Sequence, residues 1–184
     1  LFMVDNCLAA ICAARSAGIF SENIKKGIKA FIPVKGRMNI YRFSDHIHII
    51  DDTYNANPAS MTQALNTLDI ISKGKNSIAV LGDMLELGND AAFLHQQIGQ
   101  KFAMLTINKL YVFGTLVKHT IDGAIENGFS KNNIFHGTKD EIIQKLLKNM
   151  DTKTWILVKG SRGMAMEKVI QGLQQLLTLK VQGL

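Results

Sequence analysis

The sequence predicts an α/β protein, a Rossmann-like, doubly wound, mostly parallel sheet preceded by a short helical segment. Three observations carry this. From Pro58 onward, short apolar runs alternate with stretches of helical periodicity, the pattern of a parallel sheet covered by helices. The junctions carry helix-start chemistry: Asn57 is a capping residue with Pro58 at the first helical position, and Thr138 stands three residues before Glu141 in a capping box. Finally, 184 residues with 47% hydrophobic content suffice for one full core and a partial second unit at one end.

In chain order, residues 6–17 are helical in composition, Gly18 closes that helix, and a second short helix is expected over 22–29. Pro33 and Gly36 punctuate residues 31–38 and mark a hinge between a leading unit, 1–32, and a main domain, 33–184. Residues 39–43 and 47–50 are strand-like, and the intervening Ser44, Asp45 and His46 suggest a hairpin. Met61, Leu65, Leu68 and Ile71 recur at helical spacing ahead of a strand over 77–81. Leu94, Ile98, Phe102 and Leu105 repeat the pattern ahead of a strand over 110–113 and a helix over 116–126. The capping box at Thr138 opens a helix that buries Ile142, Leu146 and Met150. Residues 155–158 form a last strand, and Val169, Leu173 and Leu176 line a last helix. Five or six strands result, with no internal repeat or low-complexity tract.

The formal net charge is +6, from 21 basic and 15 acidic residues, with a pI near 9.3. The lysines are spread along the chain, grouped only at Lys25-Lys26 and Lys73/Lys75, and aromatics do not alternate with them. A solvated basic surface is expected, with no nucleic-acid partner. No apolar run is long enough to span a bilayer and no charged-then-apolar leader is evident, so a cytoplasmic protein without membrane insertion is expected. Cys7 and Cys12 lie five residues apart, roughly 140° around a helix, and are unsuited to pairing. They are expected as buried small residues in a reducing compartment. The chain opens at Leu1, without an initiator Met and inside a helical pattern, which suggests a fragment of a longer protein.

The most informative segment is Asp51-Asp52-Thr53-Tyr54-Asn55-Ala56-Asn57-Pro58-Ala59-Ser60. It sets two carboxylates and two amides at a strand-to-helix junction, the place where open α/β sheets bind ligands. The plain alternative is a capped turn with one solvated acid. Lys159-Gly160-Ser161-Arg162-Gly163 also follows a strand and opens a helix, so its N–H groups, hydroxyl and cations suit a phosphate or carboxylate, although glycines also simply permit a tight turn. The Walker A spacing is missing throughout the chain. His46 and His48 project from one strand face near Asp51 and Asp52, but no third ligand of defined spacing appears and no metal site is expected. His95, His119 and His136 are isolated and read as surface or partly buried helix residues. Ser161 has no nearby His and acid partner and no nucleophile-elbow context, which argues against an acyl-enzyme.

The ten-residue segment resembles the Mur ligases of cell-wall synthesis, most closely the branch that adds D-alanyl-D-alanine. Three further segments agree in the same order: Gly36-Arg37-Met38, Ala79-Val80-Leu81-Gly82-Asp83-Met84-Leu85-Glu86-Leu87-Gly88, and Val158-Lys159-Gly160-Ser161-Arg162-Gly163-Met164. The resemblance is good over roughly residues 33–178. Residues 1–32 look like the tail of the family's central ATP-binding domain.

The resemblance implies an ATP-dependent amide ligase of peptidoglycan precursor synthesis. Such enzymes phosphorylate the terminal carboxylate of UDP-MurNAc-tripeptide with ATP and Mg2+, and the amine of D-alanyl-D-alanine then attacks the acyl phosphate. The P-loop lysine, the magnesium-holding acid and the UDP-sugar site of the family find no counterpart in this chain, which is therefore expected to be inactive alone. By motif position, Arg37 resembles the family arginine on the ATP phosphates and Asp52 the aspartate on the ribose hydroxyls. Asn6 matches the asparagine near the adenine, although the family usually carries another asparagine where this chain has Met3. Asn55, Asn57, Glu86, Lys159, Ser161 and Arg162 are the candidates for holding the dipeptide.

Two rivals share the architecture. The sister ligase adding the third amino acid typically carries Asp-Asn-Pro-Arg after a later strand, where this chain has Phe113-Gly114-Thr115-Leu116. Folylpolyglutamate synthetases lack the Tyr-Asn-Ala-Asn-Pro string. Readings of another class are a non-catalytic nucleotide- or peptide-binding module, and a basic interaction protein whose binding would collapse with salt.

Overall fold

The computed structural model describes every residue except Leu1, Pro33, Ser44, Asp45, Asp151, Thr152, Gly183 and Leu184. The chain divides into two compact units, Leu1–Val34 and Lys35–Leu184. Pro33 of the expected hinge, and Ser44 and Asp45 of the expected hairpin turn, lie outside the described residues.

The leading unit is a helix pair, α1 (Phe2–Ser16) and α2 (Ser21–Ala30). Gly18, at φ 78°, ends α1: its N–H donates to Arg15 O and that of Ile19 to Ala14 O, both at 3.0 Å. Such a left-handed residue satisfies the last carbonyls of a helix at little steric cost when it is glycine. A cleft of about 400 Å³ runs between the helices, lined by apolar side chains such as Ile11, Ile24 and Phe31 together with Asn6 and Cys7. Cys7 is half-buried there, whereas Cys12 is exposed, contrary to the expectation that both are buried. The reason is geometric: α2 covers one stripe of α1, and Cys12 lies roughly 140° around the helix from Cys7.

The main unit contains six strands, β1 (Asn39–Arg42), β2 (Ile47–Asp52), β3 (Asn76–Gly82), β4 (Lys109–Phe113), β5 (Ile134–His136) and β6 (Thr154–Lys159). They form one sheet in the order β1-β2-β6-β3-β4-β5, with β1 antiparallel to β2 and every other pair parallel. The helices are α3 (Pro58–Ile71), α4 (Ala91–Ala103), α5 (Val117–Glu126), α6 (Lys139–Asn149) and α7 (Glu167–Gln182). The α/β doubly wound fold read from periodicity is the one observed. β5 was not resolved individually in the sequence because three residues are too few for a period-2 pattern.

Alternation along the strands divides the core into two layers. Ile50, Ala79, Leu81, Leu110 and Leu157 pack under α3, α4 and α5, while Ile49, Ile78, Val80, Tyr111 and Ile156 pack under α6 and α7. Ile49 and Ile50 are fully buried on opposite faces, each worth roughly 1.5–3 kcal/mol of transfer free energy. Both anticipated helix starts are present as reciprocal caps. Asn57 Oδ1 accepts from Ser60 N at 2.8 Å while Ser60 Oγ accepts from Asn57 N. Thr138 Oγ1 accepts from Glu141 N while Glu141 Oε2 accepts from Thr138 N at 2.8 Å.

Candidate functional site

The strand order decides where chemistry can gather. β2, β6 and β3 are neighbours in the sheet although their carboxyl ends lie at Asp52, Lys159 and Gly82. The loops that follow them, residues 53–57, 160–163 and 83–88, therefore converge at one edge, the usual ligand side of an open α/β sheet. Between them lies a cleft of about 410 Å³ lined by Tyr54, Asn55, Asn57, Glu86, Ser161 and Arg162 among others. Five residues singled out for the dipeptide thus share one cleft.

The sixth, Lys159, lies beneath it and is only 2% exposed. Its ammonium donates to Asp52 Oδ2 at 2.5 Å and to Asn55 O at 2.8 Å. Burial holds its pKa below the ordinary lysine value, with the Arg37 charge acting in the same direction and the Asp52 carboxylate opposing both. Lys159 thereby ties the end of β6 to β2 and to the loop that presents Asn55. The Asn55 side chain accepts from Ala56 N through Oδ1 at 2.8 Å, which turns its amide nitrogen outward as a donor. Asn57 Oδ1 is held in the cap of α3, which likewise leaves its Nδ2 to donate.

Ser161 joins all three loops. Its hydroxyl accepts from Leu85 N at 2.8 Å and donates to Ala56 O at 3.2 Å, and its own N–H donates to Asp83 O at 3.0 Å. Glu86 is exposed and sits at φ 62°, a left-handed conformation unusual for a residue with a side chain. Two buried residues that the sequence did not single out for the site hold this loop. His95, 1% exposed, accepts from Met84 N through Nε2 at 3.0 Å and bonds Ala91 O through Nδ1 at 2.7 Å. The backbone N–H fixes Nε2 as the acceptor, so the ring is the neutral Nδ1–H tautomer; burial holds its pKa below the ordinary value. The expectation of a surface or partly buried His95 is thus corrected: a histidine four residues from its own helix's first carbonyl satisfies both nitrogens internally. Asp83, 4% exposed, accepts from Thr115 N at 2.9 Å and Val117 N at 2.8 Å, fastening the start of α5. A carboxylate directly after an apolar strand was the available signal.

Arg37 lies beside the cleft, in the loop that leads into β1. Gly36, at φ 77°, packs so closely on the 53–54 backbone that a Cβ there would meet Tyr54 N at 3.0 Å. Its carbonyl accepts from Tyr54 N at 2.9 Å. The exposed Arg37 guanidinium then lies over the Tyr54 ring, 4.3 Å from its centroid, and forms no ion pair among the described residues. Its fork of donors, of the kind that suits an oxyanion, has no carboxylate partner among the described residues. Asp52 accepts from Met38 N through Oδ1 in addition to the Lys159 contact, so its carboxylate retains lone pairs but little exposed surface.

A neighbouring cleft of about 380 Å³ shares Tyr54 and Arg162 and adds Lys35, Thr53 and Glu167. Arg162 pairs with Glu167 across it at 3.5 Å. Asn6 belongs to the leading unit, where it is exposed on α1. Among the described residues no group of three or more His, Cys, Asp or Glu side chains comes together to hold a metal. His48 instead stacks on Trp155 with ring centroids 4.3 Å apart. No helix among the described residues is long and apolar enough to cross a membrane.

A mostly parallel sheet whose carboxyl-end loops enclose a cleft of amides, an acid and an arginine defines a Rossmann-like α/β domain with a cleft at its usual ligand edge. The chain belongs to the Mur ligase family: the family described as "Mur ligase, glutamate ligase domain" matches residues 36–162. The UDP-N-acetylmuramoyl-tripeptide--D-alanyl-D-alanine ligase of Bacillus subtilis is 32% identical over 171 residues, 92% of this chain and 37% of that protein. A crystal structure of MurF from Acinetobacter baumannii superposes with a TM-score of 0.78 at 29% identity, covering 92% of this chain and 37% of that one. The MurF ligase from Thermotoga maritima in complex with ADP shares the fold, with a TM-score of 0.75 at 23% identity over 94% of this chain and 38% of that one. The chain thus spans a little over a third of the length of these three relatives.

Proposed function

We propose that this chain is the carboxyl-terminal part of an ATP-dependent ligase that joins D-alanyl-D-alanine to UDP-MurNAc-tripeptide in cytoplasmic peptidoglycan precursor synthesis. The observation that carries this reading is the convergence of Asn55, Asn57, Glu86, Ser161 and Arg162 on one cleft at the carboxyl ends of β2, β6 and β3. A zwitterionic dipeptide needs a cation for its carboxylate, an acid for its ammonium and amide donors for its carbonyl. Arg162, Glu86 and the Nδ2 groups of Asn55 and Asn57 supply that set. Ser161 and Lys159 hold the walls, since their polar atoms are already engaged with the loops.

Amide formation from a carboxylate needs phosphoryl activation, and cations must offset the charge that develops on the transferring oxygens. Arg37, without an ion pair among the described residues, is the cation assigned to the ATP phosphates, and Asp52 is the acceptor assigned to the ribose hydroxyls. Residues 1–32 are assigned to the end of the central ATP-binding domain, with Asn6 near the adenine. A Mg2+ accompanying the nucleotide is assigned ligands outside this chain, as is the UDP-sugar. The leading and main units are assigned to two different domains of the complete ligase.

Titration of the 15N-labelled chain with D-alanyl-D-alanine tests the assignment. Saturable shifts at Asn55, Asn57, Glu86 and Arg162, absent with the L,L-dipeptide, are expected. An undisturbed spectrum at millimolar dipeptide would remove this cleft as a dipeptide site. With UDP-MurNAc-tripeptide, dipeptide and magnesium ATP all present, the chain alone is expected to release no ADP; turnover would overturn its assignment as a partial enzyme.

A further inference from the structure

At the opposite pole of the sheet, about 480 Å³ of open cleft lies among the amino ends of β3 and β4 and the end of α6. The six residues of β6 separate this pole from the Lys159 edge, a distance of roughly 17–20 Å along a strand. Lys75, Lys109, Asn76, Asn108 and Asn149 line it, and no Asp or Glu does so among the described residues.

The hydrogen bonds fix which way the amides face. Asn108 Oδ1 accepts from the backbone N–H of Ser77 at 2.9 Å and from its hydroxyl at 3.0 Å. A backbone N–H only donates, so the oxygen must face Ser77 and Nδ2 is turned away with both protons uncommitted. Asn149 Oδ1 likewise accepts from Lys109 Nζ at 2.6 Å, which pins the ammonium in the cleft and leaves it two further N–H bonds. Asn76 braces the wall by donating through Nδ2 to Asn149 O and Thr154 Oγ1. Lys75 is exposed, lies 5.5 Å from the Trp155 ring centroid, and has no carboxylate partner among the described residues. Asp69 accepts from Thr106 N and Oγ1 and does not line the cleft.

We infer that this cleft binds a phosphate dianion, as the free ion or as a small monoester. Two ammonium groups without a carboxylate partner among the described residues match a charge of −2, where a carboxylate would leave one unmatched. The Asn108 amide and the positioned Lys109 supply directed donors to oxygens that accept several bonds each. Two lysines flanked by amides, with no aromatic ring lining the cleft among the described residues, fit a small anion rather than a nucleic-acid backbone.

The test is an NMR titration of the labelled chain with inorganic phosphate and, separately, glycerol 3-phosphate, at constant ionic strength with acetate as control. Saturable shifts confined to Lys75, Asn76, Asn108, Lys109 and Asn149 are expected with at least one phosphate species. The Lys75→Gln/Lys109→Gln double variant should bind at least tenfold more weakly while its signals at the Lys159 edge stay in place. Lys75→Gln alone, at an exposed position without a hydrogen bond to lose, should weaken binding at least threefold and serves if the double variant fails to fold. Failure of both phosphate species to saturate, equal shifts with acetate, or wild-type affinity in the variants would overturn the inference. None of these outcomes touches the dipeptide cleft.

Discussion

Asp52 and Lys159 are register partners at the carboxyl ends of two neighbouring parallel strands, β2 and β6, and their side chains meet there in a nearly buried ion pair. Partnered residues on adjacent strands project from the same face, so sheet register alone brings together groups 107 positions apart. Each charge is tolerated because the other neutralises it and because Met38 N and Asn55 O complete the hydrogen bonding.

Removing one member should therefore cost more than removing both. Lys159→Met leaves the Asp52 carboxylate desolvated and unpaired, and about 3–5 kcal/mol of stability should be lost. Asp52→Asn combined with Lys159→Met keeps the acceptor for Met38 N and removes both charges, and most of that loss should be regained. Urea unfolding of the two variants decides this: equal losses would mean that the ion pair is not the source of the coupling.

His95 gives the fold an acid sensitivity with a definite sign. Burial depresses its folded pKa below the ordinary value, so between that pKa and about 6.5 the unfolded chain binds a proton that the native state refuses. Stability then falls as pH drops through that window and is fully present above it. His48, also depressed chiefly by burial, adds to the same slope. In thermal unfolding at pH 7.0 and 5.5, His95→Gln should show a smaller loss on acidification than the parent chain. An unchanged pH dependence would sink the assignment.

Helices α4 and α5 touch through glycine. A Cβ on Gly99 would lie 2.1 Å from Thr120 O, and one on Gly123 would lie 2.2 Å from Gln96 O. Neither obstacle is a movable side chain, so the helices must separate to admit a methyl group. Gly99→Ala and Gly123→Ala should each destabilise by about 1–3 kcal/mol or more, although alanine is the better helix former. Unaltered melting temperatures would show that the helices are not in this close contact.

The periodicities at Met61, Leu65 and Leu68 and at Ile142 and Leu146 made the helices legible, because burying one face repeats every three or four residues. The cap at Thr138 was legible from Glu141 three positions on, and the one at Asn57 from Pro58 beside it, whereas its reciprocal partner Ser60 was not anticipated. β5 was too short to show a period. The burial of Lys159 was hidden, since nothing near it in sequence names Asp52 as its partner. That the dipeptide candidates divide into exposed groups and loop braces depended on hydrogen bonds from Ser161 to residues 76 and 105 positions away.

That division predicts opposite signatures for adjacent residues. Arg162 is 69% exposed at its side chain and pairs loosely with Glu167 at 3.5 Å, so Arg162→Ala should change stability by less than about 0.5 kcal/mol. If Arg162 holds the dipeptide carboxylate, the same change should weaken dipeptide binding at least tenfold, with Arg162→Lys recovering part of it. Ser161→Ala removes a hydroxyl that joins Leu85 N to Ala56 O, leaving a part-buried donor unsatisfied, and should cost about 1–3 kcal/mol of stability. Its effect on binding should follow from loosening the loop of Glu86 rather than from a lost contact. Lowering the temperature, which steadies that loop, should then restore affinity to Ser161→Ala and leave Arg162→Ala impaired. Paired urea unfolding and dipeptide titrations at 10 and 30 °C read both quantities, and a reversal of the two patterns would exchange the residues between contact and brace.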